Sequence, residues 1–181
     1  TKSLGFDQQQ IILIKNRKQS FEHFTPIKNA LLSIPGVVGV TSAPMMSFNT
    51  SWFLQADSTN QFTTDLTLHA FNVDQDFMDL LHVELAQGRP FQKGSLYDEE
   101  NAVILNQQAV EALALDQPLG AQVNAMVKAD TGGFYFKEKE VIGVLDEQVH
   151  FHSLKSQPRP LVLQLSENNL VDVLIKISTH N

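Results

Sequence analysis

Residues 100–123, ENAVILNQQAVEALALDQPLGAQV, constrain the fold more than any other stretch. Residues 102–105 form a short apolar run of the length of a buried strand. Asn106 offers a side-chain oxygen to the unpaired N–H groups of a following helix, as an N-cap does. Residues 107–115 are strong helix formers, with Val110, Leu113 and Ala114 on one face. Pro118 cannot continue the helix, and Gly120 is free to turn. Val123 then reopens an extended segment. The unit reads strand, helix, turn, strand, with one apolar side that must pack on something else in the chain.

The chain has 181 residues, enough for one ordinary domain or two small ones sharing a sheet. With 43% hydrophobic and 18% charged residues, it has the means to form a packed core. A net charge of −7 and a pI of about 5.2, with no basic face, argue against nucleic acid as a partner. Cysteine is absent, which excludes disulfides, thiolate catalysis and cysteine-ligated zinc. The start, TKSLGFDQQQ, has no apolar signal-peptide core, and every apolar run falls far below the ~18 residues of a membrane span. These features fit a soluble piece, including one cut from a membrane protein.

The rest of the chain alternates strand and helix signals. Residues 10–15 read as a strand. Phe24, Ile27, Leu31 and Ile34 make a helical stripe over 20–33, and Pro26 either opens that helix behind a Thr25 cap or kinks it. Pro35-Gly36 ends it, and 37–42 is a second strand. Residues 43–64 are irregular, either a hairpin or a long loop. A strand over 65–73 leads to Asp74, which is expected to cap a helix over 75–81, and 83–86 is extended. Residues 92–100 read as a polar connector. Strands are expected at 123–127, 134–139, 140–145, 159–165 and 171–178, and Gly132-Gly133 suits a hairpin turn. The fold class is α+β, with β-α-β units on a mixed sheet. Residues 1–93 and 150–181 form a split outer subdomain, and 94–149 a strand-rich inserted one.

Four segments in one order carry a family resemblance. They are ALLSIPGVVGVT (30–41), VDQDFMDLLHVELAQGRPF (73–91), AVILNQQAVEALALDQPLGAQV (102–123) and EVIGVLDEQVHFHSLKSQPRPLVL (140–163). Together they resemble the periplasmic core domain of MacB-like ABC transporter permeases, of the FtsX-like superfamily. Leu4-Gly5-Phe6-Asp7 is similar to the residues that follow the first membrane helix in such permeases. The chain departs from the pattern at Gln117-Pro118-Leu119-Gly120-Ala121, where the family usually has Asp-Pro-Ile-Gly and a basic residue.

The resemblance implies a porter-like subdomain with an inserted Sabre-like one, in the periplasm, on an inner-membrane protein. Flanking membrane helices would lie outside this chain. The permease would form a homodimer or heterodimer, pair with a cytoplasmic ABC ATPase and engage a periplasmic adaptor. ATP hydrolysis would occur in the ATPase, and motion would reach this domain by mechanotransmission, in efflux or envelope transport. No catalytic residue, cofactor or resident metal is implied. A sensing or binding module for a peptide, lipoprotein or chaperone is the alternative, and a metal-dependent enzyme a second one.

Several side chains have the chemistry of a site. His150 and His152 fall on one face of an extended segment, with Glu147 or His82 as further ligands for a metal; two exposed loop histidines are the plainer reading. Asp98-Glu99-Glu100 reads either as a cation seat or as a solvated connector. Asp74, Asp76 and Asp79 suit a helix start and its dipole. Arg89 is expected to pair with a carboxylate and pin the two subdomains. Asn49-Thr50-Ser51 matches a glycosylation acceptor. Met45, Met46, Phe48, Trp52 and Phe53 are the candidate contacts for a partner or substrate, as adaptable apolar side chains in an irregular stretch; the plainer reading places them in the core.

Overall fold

The computed structural model describes residues 10–15, 24–42, 51–52, 54–56, 68–128, 134–147, 149, 159–166 and 172–178. β1 (Ile11–Ile14), β2 (Val37–Ser42) and β11 (Val173–Ile177) form a three-stranded antiparallel sheet with β11 in the centre. Alternation gives this sheet two faces. Val40, Val173 and Ile175 pack under Phe24 of α1 (Phe24–Leu32). Leu174 points the other way, into the main core. Pro26 stands in the first turn of α1, where a missing N–H breaks no helical hydrogen bond. Ile34 lies beyond the helix and is exposed, so the expected stripe stops at Leu31.

The larger sheet follows the path β3-β5-β10-β7-β9-β8-β4, with β6 paired to β9. Its strands are β3 (Ser51–Trp52), β4 (Leu54–Ala56), β5 (Leu68–Val73), β6 (Leu85–Gly88), β7 (Ala102–Leu105), β8 (Gln122–Lys128), β9 (Phe134–Leu145) and β10 (Leu161–Leu165). Its central strands β7 and β10 are buried on both faces, and neighbours on one strand go to opposite cores. Ala102, Ile104, Leu161 and Leu163 join Phe77, Met78 and Leu81 of α2 (Phe77–Leu81). Val103, Leu105 and Val162 join Ala109 and Val110 of α4 (Gln107–Ala112). Burial on both faces explains why β7 and β10 read as unbroken apolar runs.

The ends of this path are β3 and β4, and only Phe53 stands between them in sequence. Laid flat, the path would separate its end strands by about 29 Å, at about 4.8 Å per strand. Two peptide steps reach at most about 7.6 Å. The sheet therefore curls until its edges meet. The directions agree: β3 is antiparallel to β5, and β4 is antiparallel to β8.

Several expectations are corrected. Residues 134–145 form one strand, not two. β9 pairs with β8 along its first half, and its second half lies between β7 and β6. A bulge opposite Val103 and Ile104 resets its alternation, so Val141 and Val144 share one face while Ile142 and Leu145 take the other. The connector at 92–100 contains a helix, α3 (Leu96–Asn101), whose N-cap Ser95 accepts from the Asp98 amide. The extended segment after α2 sits at β6, two residues later than its expected start. Asn106 caps α4 as expected, accepting from the Ala109 amide at 3.0 Å. That helix is shorter than expected: Ala114 has left it with a φ of 52° and is exposed, and Ala109 takes its place on the buried face.

Candidate functional site

Charged side chains from three parts of the chain meet at a groove beside β2. Lys28 projects from the middle of α1, and its Nζ lies 2.5 Å from both Asp74 Oδ2 and Asp76 Oδ2. It also sits 5.8 Å from the centre of the Phe24 ring, one helical turn back. Asp74 accepts from the Thr41 hydroxyl of β2 as well. Lys93 reaches back from the segment after β6 to Asp76 at 2.7 Å and Asp79 at 2.8 Å. The result is a ladder of alternating charge: Asp74, Lys28, Asp76, Lys93, Asp79. Leu32, Val38, Gly39, Val40 and Leu80 line the apolar part of the groove, whose volume is about 340 Å³. Gly39 leaves room for Leu80, whose Cδ1 lies 2.1 Å from where a Cβ would stand.

The electrostatics follow from the pairing. Burial lowers the pKa of the Lys28 amine, but hydrogen bonds and charge from Asp74 and Asp76 outweigh it and raise it. Burial raises the Asp76 carboxyl, and Lys28 and Lys93 together hold it below the ordinary carboxylate range. The hydrogen bonds that Lys93 donates to Asp76 and then to Asp79 raise its pKa. Amines held in the charged form are poor nucleophiles, so the ladder is suited to clasping three segments and not to covalent chemistry. Asp74 is thus not the helix cap expected: its carboxylate serves Thr41 and Lys28. The cap position of α2 is Asp76, which makes no side-chain capping bond.

The second charged cluster is an arginine fork. Arg89 Nη1 and Nη2 donate to the two oxygens of Asp98 at 2.7 and 2.9 Å. Asp98 is fully buried and also accepts from the Gln92 amide at 2.7 Å. The expected pairing of Arg89 with a carboxylate is therefore present. Asp98, expected in a solvated connector, is instead the buried half of that pair. Arg89 holds the Asp98 carboxyl below the ordinary range against the opposing effect of burial, and the Gln92 amide adds to this.

Asp98→Ala removes the fork and leaves the Gln92 amide unsatisfied. We expect a loss of about 2–4 kcal/mol in urea unfolding at pH 7. Because the folded pKa is depressed, this stability is present above the unfolded carboxylate value and disappears as pH falls through the folded one. The variant and the parent must therefore converge in acid; a gap that stays constant down to pH 2 would refute the charge-based account.

Lys139 on β9 is the opposite case. It is 6% exposed, and its Nζ donates to the Glu99 carbonyl at 3.3 Å. Burial and the Lys137 charge bring its pKa down to about 8, with Glu99 and Glu100 opposing. A depressed amine costs stability while it is charged. That cost is complete below pH 8 and lifts as pH rises from 8 towards the ordinary 10.5. Lys139→Met is expected to stabilise the fold by about 2 kcal/mol at pH 7, with the gain shrinking by pH 10. Thermal unfolding at both pH values checks this.

Met45, Met46, Phe48, Asn49, Thr50, Phe53, His150 and His152 lie outside the described residues. Ser51 and Trp52 are described as backbone in β3. His82 is the exposed C-cap of α2, with a φ of 51°, and Glu147 is exposed on the far side of β9 in sequence. Among the described residues no three His, Asp or Glu side chains converge as a metal site. Sequence reasoning missed the roles of Lys28, Asp74 and Asp98. The Ser95–Asp98 capping spacing was the available signal for α3, and hence for the position of Asp98.

The family model described as "MacB-like periplasmic core domain" matches residues 3–168. The fold resembles the periplasmic region of MacB from Actinobacillus actinomycetemcomitans, with a TM-score of 0.63 at 17% identity, over 96% of this chain and 77% of that one. It also resembles the extracellular domain of the noncanonic ABC-type transporter YknZ from Gram-positive bacteria, with a TM-score of 0.62 at 17% identity, over 93% of this chain and 82% of that one. Among curated proteins no sequence reaches a significant match. The fold and its family model define an extracytoplasmic transporter domain. The chain belongs to the MacB-like periplasmic core domain family. No helix among the described residues is long and apolar enough to cross a membrane.

Proposed function

We propose that this domain transmits motion driven by a cytoplasmic ABC ATPase to partners or substrate outside the inner membrane, in efflux or envelope transport. The family match over residues 3–168 carries this reading. In it, the full protein is a dimeric permease anchored by flanking membrane helices, and ATP is hydrolysed by the separate ATPase. The moving parts are the split subdomain 1–93 with 150–181 and the inserted subdomain 94–149. In the larger sheet β10 pairs with β7 across that division, β6 with β9, and β4 with β8. Relative motion therefore bends one continuous sheet. The Arg89–Asp98 fork, which also spans the division, stiffens the crossing.

Met45, Met46, Phe48, Trp52 and Phe53 are the contact residues in this reading, with an adaptor or the transported molecule as occupant. The test uses the full-length permease and its ATPase in proteoliposomes, with these five residues replaced by serine. Transport is expected to fall at least about tenfold with basal ATP hydrolysis within about twofold of the parent, a loss of binding without loss of the motor. Unchanged transport would remove the contact role. A gene product lacking apolar segments of ~20 residues beside this domain would remove the permease reading.

A further inference from the structure

The groove beside β2 combines an apolar lining with a charge that can be displaced. Leu32, Val38 and Leu80 supply the apolar lining, and Leu32 and Val38 are exposed to solvent. Ile34, in the turn between them, is exposed as well. Asp76, Asp79 and Lys93 line the same groove. The two lysines of the charge ladder differ in how firmly they are held. Lys28 is nearly enclosed and serves the fully buried Asp74. Lys93 is exposed, and its pairs with Asp76 and Asp79 are of the weak surface kind. Taking Lys93 away leaves the carboxylates of Asp74, Asp76 and Asp79 against the single amine of Lys28.

We propose that this groove docks a polypeptide segment that presents an arginine beside an aliphatic residue. The aliphatic side chain packs against Leu32, Val38 and Leu80. The guanidinium takes the place of the Lys93 ammonium, and Lys93 swings into water. The geometry suits the exchange: one ammonium already reaches Asp76 Oδ1 at 2.7 Å and Asp79 Oδ2 at 2.8 Å, so the planar donor fork of one guanidinium can bridge both. Lys93 is then a placeholder that neutralises the two carboxylates until a better-fitting cation arrives. The groove volume, about 340 Å³, is at the small end of ligand pockets, about 300–1,000 Å³. It has room for a pair of side chains and not for the face of a folded partner. Charge argues against an acidic occupant, and against a second copy of the chain, since each copy carries a net −7. None of these residues belongs to the apolar contact set proposed above, so the surface is additional to the transport reading.

The probe is N-acetyl-leucyl-arginine amide, titrated into the isotope-labelled 181-residue chain and followed by NMR. Shifts are expected at the amides of Gly39, Leu80 and Lys93, with a Kd of about 1 mM. The citrulline analogue keeps the shape without the charge and should bind at least about tenfold more weakly. The alanyl analogue, with less apolar surface, should bind at least about threefold more weakly. Lys93→Ala frees both carboxylates and should tighten the probe about fivefold. Lys137→Ala removes the same charge outside the groove, where Lys137 pairs with Glu100, and should leave the Kd within about twofold. Asp79→Asn, at an exposed position, should weaken the probe about fivefold. The proposal is overturned if the probe shifts none of these amides or if the citrulline analogue binds as tightly. It is also overturned if Lys93→Ala fails to tighten binding, or if Lys137→Ala tightens it equally, which would mark a response to net charge alone. Shifts of the same amides with protein concentration, in the absence of probe, would assign the groove to a second copy and overturn it too. Every outcome is read without the ATPase or a membrane, so the transport reading stands or falls separately.

Discussion

Lys28→Ala is expected to destabilise the domain by about 3–5 kcal/mol, among the largest effects of any charged residue in it. The reason is the burial of its partner. The Asp74 side chain is 0% exposed and that of Lys28 is 12% exposed, so truncating the amine strands a carboxylate that water cannot reach. Lys93 provides the comparison within the same ladder. It is 52% exposed and salt-bridged to Asp76 and Asp79, which also face solvent, so Lys93→Ala is expected to cost less than about 1 kcal/mol. The double variant Lys28→Met/Asp74→Asn should recover much of the loss, because it removes both charges and keeps an acceptor for Thr41. The Lys28 contribution also has a pH signature. Its pKa is raised in the folded state, so the stability is complete below the ordinary 10.5 and is lost as pH rises through the folded value. Urea unfolding of the three variants decides the matter; equal losses for Lys28→Ala and Lys93→Ala would contradict the burial argument.

Gly88→Ala is expected to cost about 4 kcal/mol or more, and to loosen the pairing of β6 with β9. Two effects combine. Gly88 has a φ of 81°, which side chains with a Cβ rarely adopt. A Cβ there would also stand 2.2 Å from the Ile142 carbonyl oxygen and 2.7 Å from the Gly143 Cα, both backbone atoms. That same carbonyl accepts from the Arg89 amide, so it cannot yield without breaking a hydrogen bond at the root of the Arg89 fork. Gly88 and Gly143 are register partners, and the close approach of the two strands needs the missing side chains. Gly39→Ala is the control. Its obstruction is the flexible end of Leu80, so the neighbour can move and the loss should be smaller. Loss of folding cooperativity in Gly39→Ala but not in Gly88→Ala would reverse this order.

Much of the secondary structure was legible because its causes are local. The run at 102–105, the Asn106 cap and the Pro118–Gly120 turn each act within a few residues, and β7, α4 and the positive φ of Gly120 follow from them. α3 was harder to read because its sequence, LYDEEN, carries no apolar stripe; only its capping residue marks it. The site residues were mostly illegible. Asp74 looks like any acidic residue before a helix, and its partners are 33 residues away at Thr41 and 46 away at Lys28. Arg89 was readable as one half of a pair, but nothing in the sequence said that Asp98, among three consecutive acids, would be the buried half.

The sequence by itself determined the alternating strands and helices, the doubly apolar central strands and the α+β class, because periodicity and capping are written in neighbouring residues. It also carried the family, through four segments in a set order. Only the tertiary structure decided which edge each strand meets. Residues 51–52 and 54–56 read locally as part of an irregular stretch, yet the first pair with β5 and the second with β8, at opposite ends of the sheet. Backbone hydrogen bonds have the same chemistry on every edge. Which edges are free and near is settled by the packing of the whole chain, so no local pattern could record it.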